Sequence, residues 1–527
     1  MKKLLEEGPY KIIKRNPLNR IIKLVNDETK KAILDGKERK QLLVTVLRLQ
    51  RIYGVPKIHK NDVPLRPIVS AINSPTYNLE GHLARILKTN TGKTSSYVKN
   101  STDFVEKLQQ ANWEERDILV SFDVVSLFTM VPVRDTLNII KEKKWIDEKL
   151  QSLLEICTKT TVFTYQDTIY EQTDGMAMGS RLAPVFANIF MEWFEAEAMS
   201  TYTQKPKMWL RYVDDTFVLW QHGEDKLQSF LQHLNSIHAN IQFTMETEEN
   251  GKLPFLDVMV KKKPNGKFST GVYRKSTHTD RYLHADSHHC PSQKMGLLHT
   301  MATRAVRIAD ENHVNEEKTY LRQALKNNGY TIKNINKAIK KAEKRKNATR
   351  IMDDENNEDE KKGTLILPYI QGITDRISRI TQKFKLRTVF KPNTVAGSLL
   401  RNPKDKLPEM KTPGVYKIPC SCGKSYIGQT GRAIATRIKE HEKDVEYQRT
   451  EKSAVAEHAK NKGHDIQFDK VKILNKEPHF GKRMYKEAIE IEKCPENFNR
   501  EDGWKICNTW VTYHTPDKKE INQQQRK

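Results

Sequence analysis

Leu210-Arg211-Tyr212-Val213-Asp214-Asp215-Thr216-Phe217-Val218-Leu219-Trp220 sets two adjacent carboxylates inside an apolar, β-prone run. A third aspartate lies 91 residues upstream in a similar run, Ile118-Leu119-Val120-Ser121-Phe122-Asp123-Val124-Val125. Carboxylates are costly in apolar segments unless something cationic compensates them. The flanks Arg211–Val213 and Thr216–Trp220 read as two strands, with Asp214-Asp215 at a tight hairpin turn between them. Asp123, ending its own strand, could meet them there. Three converging carboxylates make a hard-oxygen site suited to Mg²⁺. A pair of such ions can clamp the attacking and leaving oxygens of a phosphoryl transfer. Taken alone, the Asp-Asp dipeptide reads better as a surface turn with no role, so the rest of the chain must decide.

Composition narrows the choice. The chain has 527 residues, room for two or three domains, and is 37% hydrophobic and 30% charged. Its 91 Lys and Arg outnumber 66 Asp and Glu, a formal charge of +25. Such an excess suits a polyanionic partner, because released phosphate counterions drive binding. No apolar run reaches the roughly 20 residues that span a bilayer, so no membrane association is expected. The N-terminal Met1-Lys2-Lys3-Leu4-Leu5-Glu6-Glu7 stretch has no signal-peptide core. Six cysteines in a chain of this size suggest a reducing compartment rather than a disulfide framework.

The organisation reads as mixed α/β. Residues 1–50 are basic with helical periodicity from Ile21 to Leu49, and residues 51–75 are rich in proline and turns. From 115 to 260, strand-like runs alternate with helical ones, an α/β core. Residues 276–346 read as helical and basic, and a charged linker with an acidic block at 353–360 follows. A small domain begins near Pro413.

The ordered motifs resemble reverse transcriptases, and as a set they resemble the Penelope-like retroelement enzymes. They are Arg51-Ile52-Tyr53-Gly54-Val55-Pro56-Lys57-Ile58-His59-Lys60, Leu65-Arg66-Pro67-Ile68-Val69-Ser70, Ser121-Phe122-Asp123, Gly175-Met176-Ala177-Met178-Gly179-Ser180-Arg181 and Tyr212-Val213-Asp214-Asp215. Pro254-Phe255-Leu256-Asp257-Val258 and Thr277-His278-Thr279-Asp280-Arg281-Tyr282 complete them. The resemblance covers roughly residues 45–300. It implies a right-hand polymerase, with fingers in 1–110, a palm in 111–275 and a helical thumb in 276–346, joined by a connector over 347–410 to a further domain. It also implies that Asp123 and Asp214 ligate two Mg²⁺ and that Asp215 completes the cluster. Phe128 falls where the family places an aromatic under the sugar, favouring deoxynucleotides; a core phenylalanine fits as well. Arg66, with Lys57 or Lys60, would neutralise the incoming triphosphate, although both lysines also fit a solvated turn. Met178, Gly179 and Ser180 would border the template–nucleotide pair, since glycine leaves room for close backbone approach. Many relatives carry Gln at the position of Met178, and the Penelope-like group shares the methionine. Arg181 stands where the family usually has proline.

Histidines 278, 284, 288 and 289 with Cys290 cluster in sequence. Such spacing suits zinc, but the family stretch implies duplex contacts or packing.

A second set begins at Gly414-Val415-Tyr416 and Ser425-Tyr426-Ile427-Gly428, two short strands forming a hairpin. Arg437 and His441 stand four apart, on one helical face, and Glu487 lies in the helical run 484–491. This set resembles the GIY-YIG nucleases, a small α/β domain expected over 411–515. The resemblance implies that Tyr416 or Tyr426 assists proton transfer, Arg437 neutralises phosphate and Glu487 holds one Mg²⁺, with Glu490 as competitor. His441 and Asn499 would support the site. Cys420, Cys422, His458 and His464 could hold a tetrahedral Zn²⁺, with His441 as the alternative ligand. The combined reading is an RNA-directed DNA polymerase with a DNA-nicking module, using its own element RNA, target DNA and deoxynucleoside triphosphates, and acting in the nucleus. An RNA-directed RNA polymerase and an inactive nucleic-acid-binding derivative are the competing readings.

Overall fold

The computed structural model describes residues 1–33, 35–43, 48–58, 62–347, 363–392, 397, 400, 404, 408–500 and 503–507. Two compact units emerge, one of residues 1–43 with 49–404, the other of 44–48 with 405–527.

The first unit holds two sheets that frame the aspartates. Strands β1 (Tyr10–Ile12), β2 (Gln50–Pro56) and β3 (Leu65–Ser70) share a five-stranded sheet with β5 (Val162–Tyr165) and β6 (Thr168–Gln172), in the order β1-β6-β5-β2-β3. Only β2 and β5 run parallel. Residues 162–172 therefore join the first sheet, although the sequence puts them within the span expected for the palm. The second sheet, β7-β8-β4-β9, is antiparallel throughout, with β4 (Ile118–Val124), β7 (Met208–Tyr212), β8 (Asp215–Trp220) and β9 (Phe243–Thr247).

This second sheet is buried on both faces, and its period of two shows why. Val120, Phe122, Val218 and Trp220 pack into one core with the helix Ala183–Thr201. Leu119, Phe217 and Leu219 pack into another with Phe104 and Phe255. Burying each such side chain contributes about 2 kcal/mol. The helix is apolar nearly all round, as suits a fully covered element.

Beyond the sheet, β10 (Lys252–Phe255), β11 (Val258–Lys262) and β12 (Phe268–Val272) form a meander. Helices Pro291–Ile308, Val314–Asn327 and Ile332–Asn347 then pack around Leu298, Leu321 and Ile335. A parallel pair, β13 (Gly363–Leu367) and β14 (Leu386–Phe390), flanks the helix Thr374–Lys383. Among the described residues no helix is long and apolar enough to cross a membrane. All six cysteines are free thiols.

The second unit has a three-stranded antiparallel sheet, β16-β15-β17, from β15 (Gly414–Pro419), β16 (Ser425–Thr430) and β17 (Lys472–Lys476). Helices Ile434–Glu446, Ala454–Lys462 and Phe480–Lys493 accompany it. Its core gathers Tyr416, Ile418, Ile434, Ile438 and Val455.

Candidate active sites

The ladder between β4 and β8 pairs Asp123 directly with Asp215. Tyr212 pairs with Asp215 across the β7–β8 hairpin, so the turn residues are Val213 and Asp214. The turn thus sits one residue earlier than the sequence suggests, and Asp215 opens β8. Val213 adopts φ +58, a left-handed conformation that turn-formers such as Asn, Asp or Gly favour and valine resists. The Val124 amide donates to the Asp214 carbonyl at 3.2 Å, tying the turn to the end of β4. The paired strands and the turn between them thus bring the three aspartates together.

Their charges register the crowding. Burial raises the pKa of Asp214, while Arg66 and Lys57 pull it down. Asp215 is pushed up to about 6 by burial and then by Asp214 and Asp123, with Lys275 opposing. Mutual repulsion of this kind is relieved by a divalent cation, and three oxygen donors suit Mg²⁺. Arg66 on β3 and Lys57 after β2 thus bear on Asp214; Lys60 lies outside the described residues. Lys275 had no signal in the sequence beyond its position after β12.

The segment expected beside the template–nucleotide pair rests on β3. The Val69 amide donates to the Met178 carbonyl at 2.8 Å. Gly179 has φ +126, and a Cβ there would lie 2.2 Å from the Val69 carbonyl oxygen, so only glycine fits. The buried carboxylate of Glu80 accepts from Ser180 Oγ at 2.8 Å, the Arg181 amide at 2.9 Å and Thr76 Oγ1 at 2.6 Å. Arg181 stacks its guanidinium on Tyr77, 5.0 Å from the ring centroid. Phe128 is half-buried at the rim of the core, and its carbonyl accepts from the Met176 amide at 2.8 Å.

The histidines near 280 disperse. His278 bonds Asp280 at 2.8 Å, His288 bonds the Tyr369 carbonyl at 2.9 Å, and His289 bonds Ser287 at 3.2 Å. All are exposed, and among the described residues they do not gather into a metal-ligating group.

In the second unit, Tyr426, Arg437, His441, Glu487 and Asn499 line one cleft. Tyr416 is fully buried with its hydroxyl 2.9 Å from His441 Nε2. His441 Nδ1 lies 3.1 Å from Ser453 Oγ. Burial pushes His441 down to about 4, so its ring is neutral. Gly428 faces Tyr416 across the ladder, and a Cβ would come 2.7 Å from both tyrosine rings. Arg437 pairs with Glu440 at 2.8 Å and bears electrostatically on Tyr416 and Tyr426. Glu487 is pushed up to about 7 by burial, with Arg483 opposing. Glu490 instead bonds Asn475 at 3.2 Å and Lys493 at 3.3 Å, so Glu487 is the metal candidate. Asn499 accepts from the Ile427 amide at 2.9 Å and donates to its carbonyl at 2.6 Å. It pins β16 rather than offering its amide to substrate. Arg483, buried against Gln429 at 2.6 Å, is a site neighbour the motifs did not flag.

Cys420, Cys422, His458 and His464 gather with all four ligand atoms within 4.8 Å of one another. Cys422 Sγ lies 3.4 Å from His458 Nε2, and His464 Nδ1 lies 3.2 Å from the same atom. Tetrahedral zinc with bonds of about 2.0–2.3 Å needs donor separations of this order. His441 is engaged elsewhere and is not one of the four.

Residues 58–248 match the Reverse transcriptase (RNA-dependent DNA polymerase) family, and residues 281–340 match the Animal helix-turn-helix domain. No curated protein matches the chain. Among solved structures, telomerase from Candida albicans in complex with a fragment of telomeric RNA is similar at 10% identity, with TM-score 0.42 and coverage of 62% of this chain and 63% of that one. Apo telomerase from Candida tropicalis is similar at 10% identity, with TM-score 0.36 and coverage of 56% and 58%. The BmCPV RNA-dependent RNA polymerase at elongation state gives 12% identity, TM-score 0.30 and coverage of 62% and 30%. The chain spans less than two thirds of these proteins' own length.

Proposed function

On the premise of a reverse-transcriptase-type domain over residues 58–248, we propose that this chain is a bifunctional protein of a Penelope-like retroelement. One module copies RNA into DNA. The other, a GIY-YIG endonuclease, nicks target DNA in the nucleus and frees the 3′-hydroxyl that primes copying. The observation carrying this reading is the pairing of Asp123 with Asp215 beside Asp214.

At the polymerase site, Asp123 and Asp214 would hold two Mg²⁺, which supply charge neutralisation at the attacking and leaving oxygens. Arg66 and Lys57 neutralise the triphosphate, since fixed cations stabilise phosphoryl charge as it develops. Gly179 lets the backbone approach the base pair, and Phe128 stands against a 2′-hydroxyl. The last of the three helices, Ile332–Asn347, ends in Lys344-Arg345-Lys346, a basic end suited to duplex phosphates.

At the nuclease site, Glu487 would hold one Mg²⁺, which polarises the scissile phosphate. Tyr416 or Tyr426 would assist proton transfer from the attacking water: Tyr426 lines the cleft with Arg437 and Glu487, while buried Tyr416 stays a phenol with its hydroxyl 2.9 Å from His441 Nε2. Arg437 offsets charge on the phosphate. The cysteine–histidine tetrad would hold a structural Zn²⁺, tying the β15–β16 turn to His458 and His464.

The test uses purified full-length protein, its own RNA, supercoiled plasmid and deoxynucleotides, scoring nicking and complementary-DNA extension separately. Asp214→Asn should abolish extension and spare nicking, and Glu487→Gln should do the reverse on a pre-nicked plasmid. Extension or nicking unaffected by its own substitution would overturn the corresponding assignment.

A further inference from the structure

Arg211 is among the largest fully buried side chains, and its guanidinium is held by a glutamate, an asparagine and a backbone carbonyl. Its Nε donates to Glu195 Oε1 at 2.7 Å, and Nη2 reaches Oε2 at 3.4 Å. Its Nη1 donates to Asn188 Oδ1 at 3.2 Å and to the Val213 carbonyl at 3.2 Å. Glu195 is buried too, and also accepts from Trp209 Nε1 at 2.8 Å and Ser96 Oγ at 2.9 Å. The Arg211 backbone is fixed as well. Its amide donates to the Ser96 carbonyl at 2.7 Å, and its carbonyl accepts from Val98 at 2.8 Å.

Two features give this arrangement a purpose beyond packing. First, the carbonyl that Nη1 holds belongs to Val213, the residue kept at φ +58 one position before Asp214. A β-branched residue leaves that conformation unless its surroundings over-determine it. Second, the cations that bear on Asp214 and Asp215 are Arg66, Lys57 and Lys275. Arg211 instead pairs with Glu195 and bears on Glu192. What remains is geometric.

We propose that Arg211, held by Glu195 and Asn188, is a positioning residue for DNA synthesis: it clamps Val213 in the left-handed conformation that sets Asp214 beside the paired Asp215 and Asp123. This deepens, and rests on, the polymerase reading above. A clamp of this sort is specific to guanidinium, because one planar fork must serve a carboxylate and a carbonyl together. Lysine can hold one of them.

The test separates clamp from scaffold. Arg211→Met alone would strand a buried carboxylate, so it is paired with Glu195→Gln, which keeps an acceptor for Trp209. The double variant should melt close to the wild type. On a primed RNA template its kcat should fall on the order of 100-fold, as for a displacement of about 1 Å. Its Mg²⁺ half-saturation should rise about tenfold by the same misplacement, with deoxynucleotide KM near wild type. Adding Val213→Gly, which adopts φ +58 freely, should recover much of the loss. Should the double variant not fold, Arg211→Lys with and without Val213→Gly makes the same comparison. Wild-type kcat and Mg²⁺ dependence in the double variant, or no recovery with glycine, overturns the proposal. Mn²⁺ titration of the metal-free Glu487→Gln protein reads the same geometry without turnover. If the wild type fails to extend primers, the polymerase reading fails by itself, while Mn²⁺ affinity unchanged by Arg211→Lys would refute the clamp.

Discussion

Asp215→Asn should make the metal-free protein more stable while removing a member of its acidic cluster. In the folded chain Asp215 sits opposite Asp123 and beside Asp214, and its pKa rises from an ordinary 3.8 to about 6. That displacement corresponds to about 3 kcal/mol at most between protonation states. The side chain is only half-buried, so solvent screening reduces it to about 1.5 kcal/mol. The sign follows from linkage. A folded pKa above the unfolded one means that the folded state binds the proton more readily. The cost of folding with charged Asp215 is full above about pH 6 and fades as pH falls toward 3.8. Asparagine removes that cost. In a unit of about 400 residues, with an unfolding entropy of about 2.1 cal/mol/K per residue, the gain is about 2 °C in Tm. Calorimetry in EDTA at pH 7.5 should show Asp215→Asn melting above the wild type, with the gap closing at pH 5. Adding Mg²⁺ at pH 7.5 should also narrow the gap, because the ion relieves the repulsion that asparagine otherwise removes. A variant less stable than the wild type in EDTA at pH 7.5, or a gap indifferent to both pH and Mg²⁺, would refute the electrostatic account of the cluster.

Other consequences are direct. Gly179→Ala places a Cβ 2.2 Å from the Val69 carbonyl oxygen at φ +126, and should cost on the order of 100-fold in primer extension by misplacing the adjoining loop; steady-state kinetics would check it. Phe128→Val should let ribonucleotides compete, shifting the deoxy-to-ribo ratio of kcat/KM about 10–100-fold, the range a pocket's shape can command. Cys422→Ser should release zinc measurable by a chromogenic chelator and lower the melting temperature of the C-terminal unit, because structural zinc sites contribute folding energy outright; wild-type zinc content in the variant would remove Cys422 from the tetrad.

Much of the polymerase site was legible in the chain because its parts are local. Asp123 and Asp214-Asp215 interrupt apolar runs, and the period of two in those runs follows the two buried faces of β4 and β8. The tyrosine hairpin and the Arg437–His441 face were legible for the same reason. What was hidden depends on contacts distant in sequence. Glu80 looks like one polar residue on an amphipathic helix until Ser180, 100 positions on, donates to it. Arg211 looks like a basic residue before a motif until Glu195 and Asn188 enclose it. The turn was misplaced by one residue because turn chemistry favours aspartate over valine in the left-handed region, and here the Arg211 contact and the β ladder override that preference. Asn499 has no local signal for its partner, yet its amide closes on Ile427, 72 positions away. The histidines at 278–289 are neighbours in sequence with separate partners in space.

The account stands on acidic side chains from two paired strands acting together on a primer end. The most direct measurement is single-deoxynucleotide incorporation on a DNA-primed RNA template across an Mg²⁺ titration, comparing wild type with Asp123→Asn and Asp214→Asn. Saturable, Mg²⁺-dependent incorporation by the wild type, lost at least about 10³-fold in each variant, is the expected result. Incorporation that survives either substitution would contradict it.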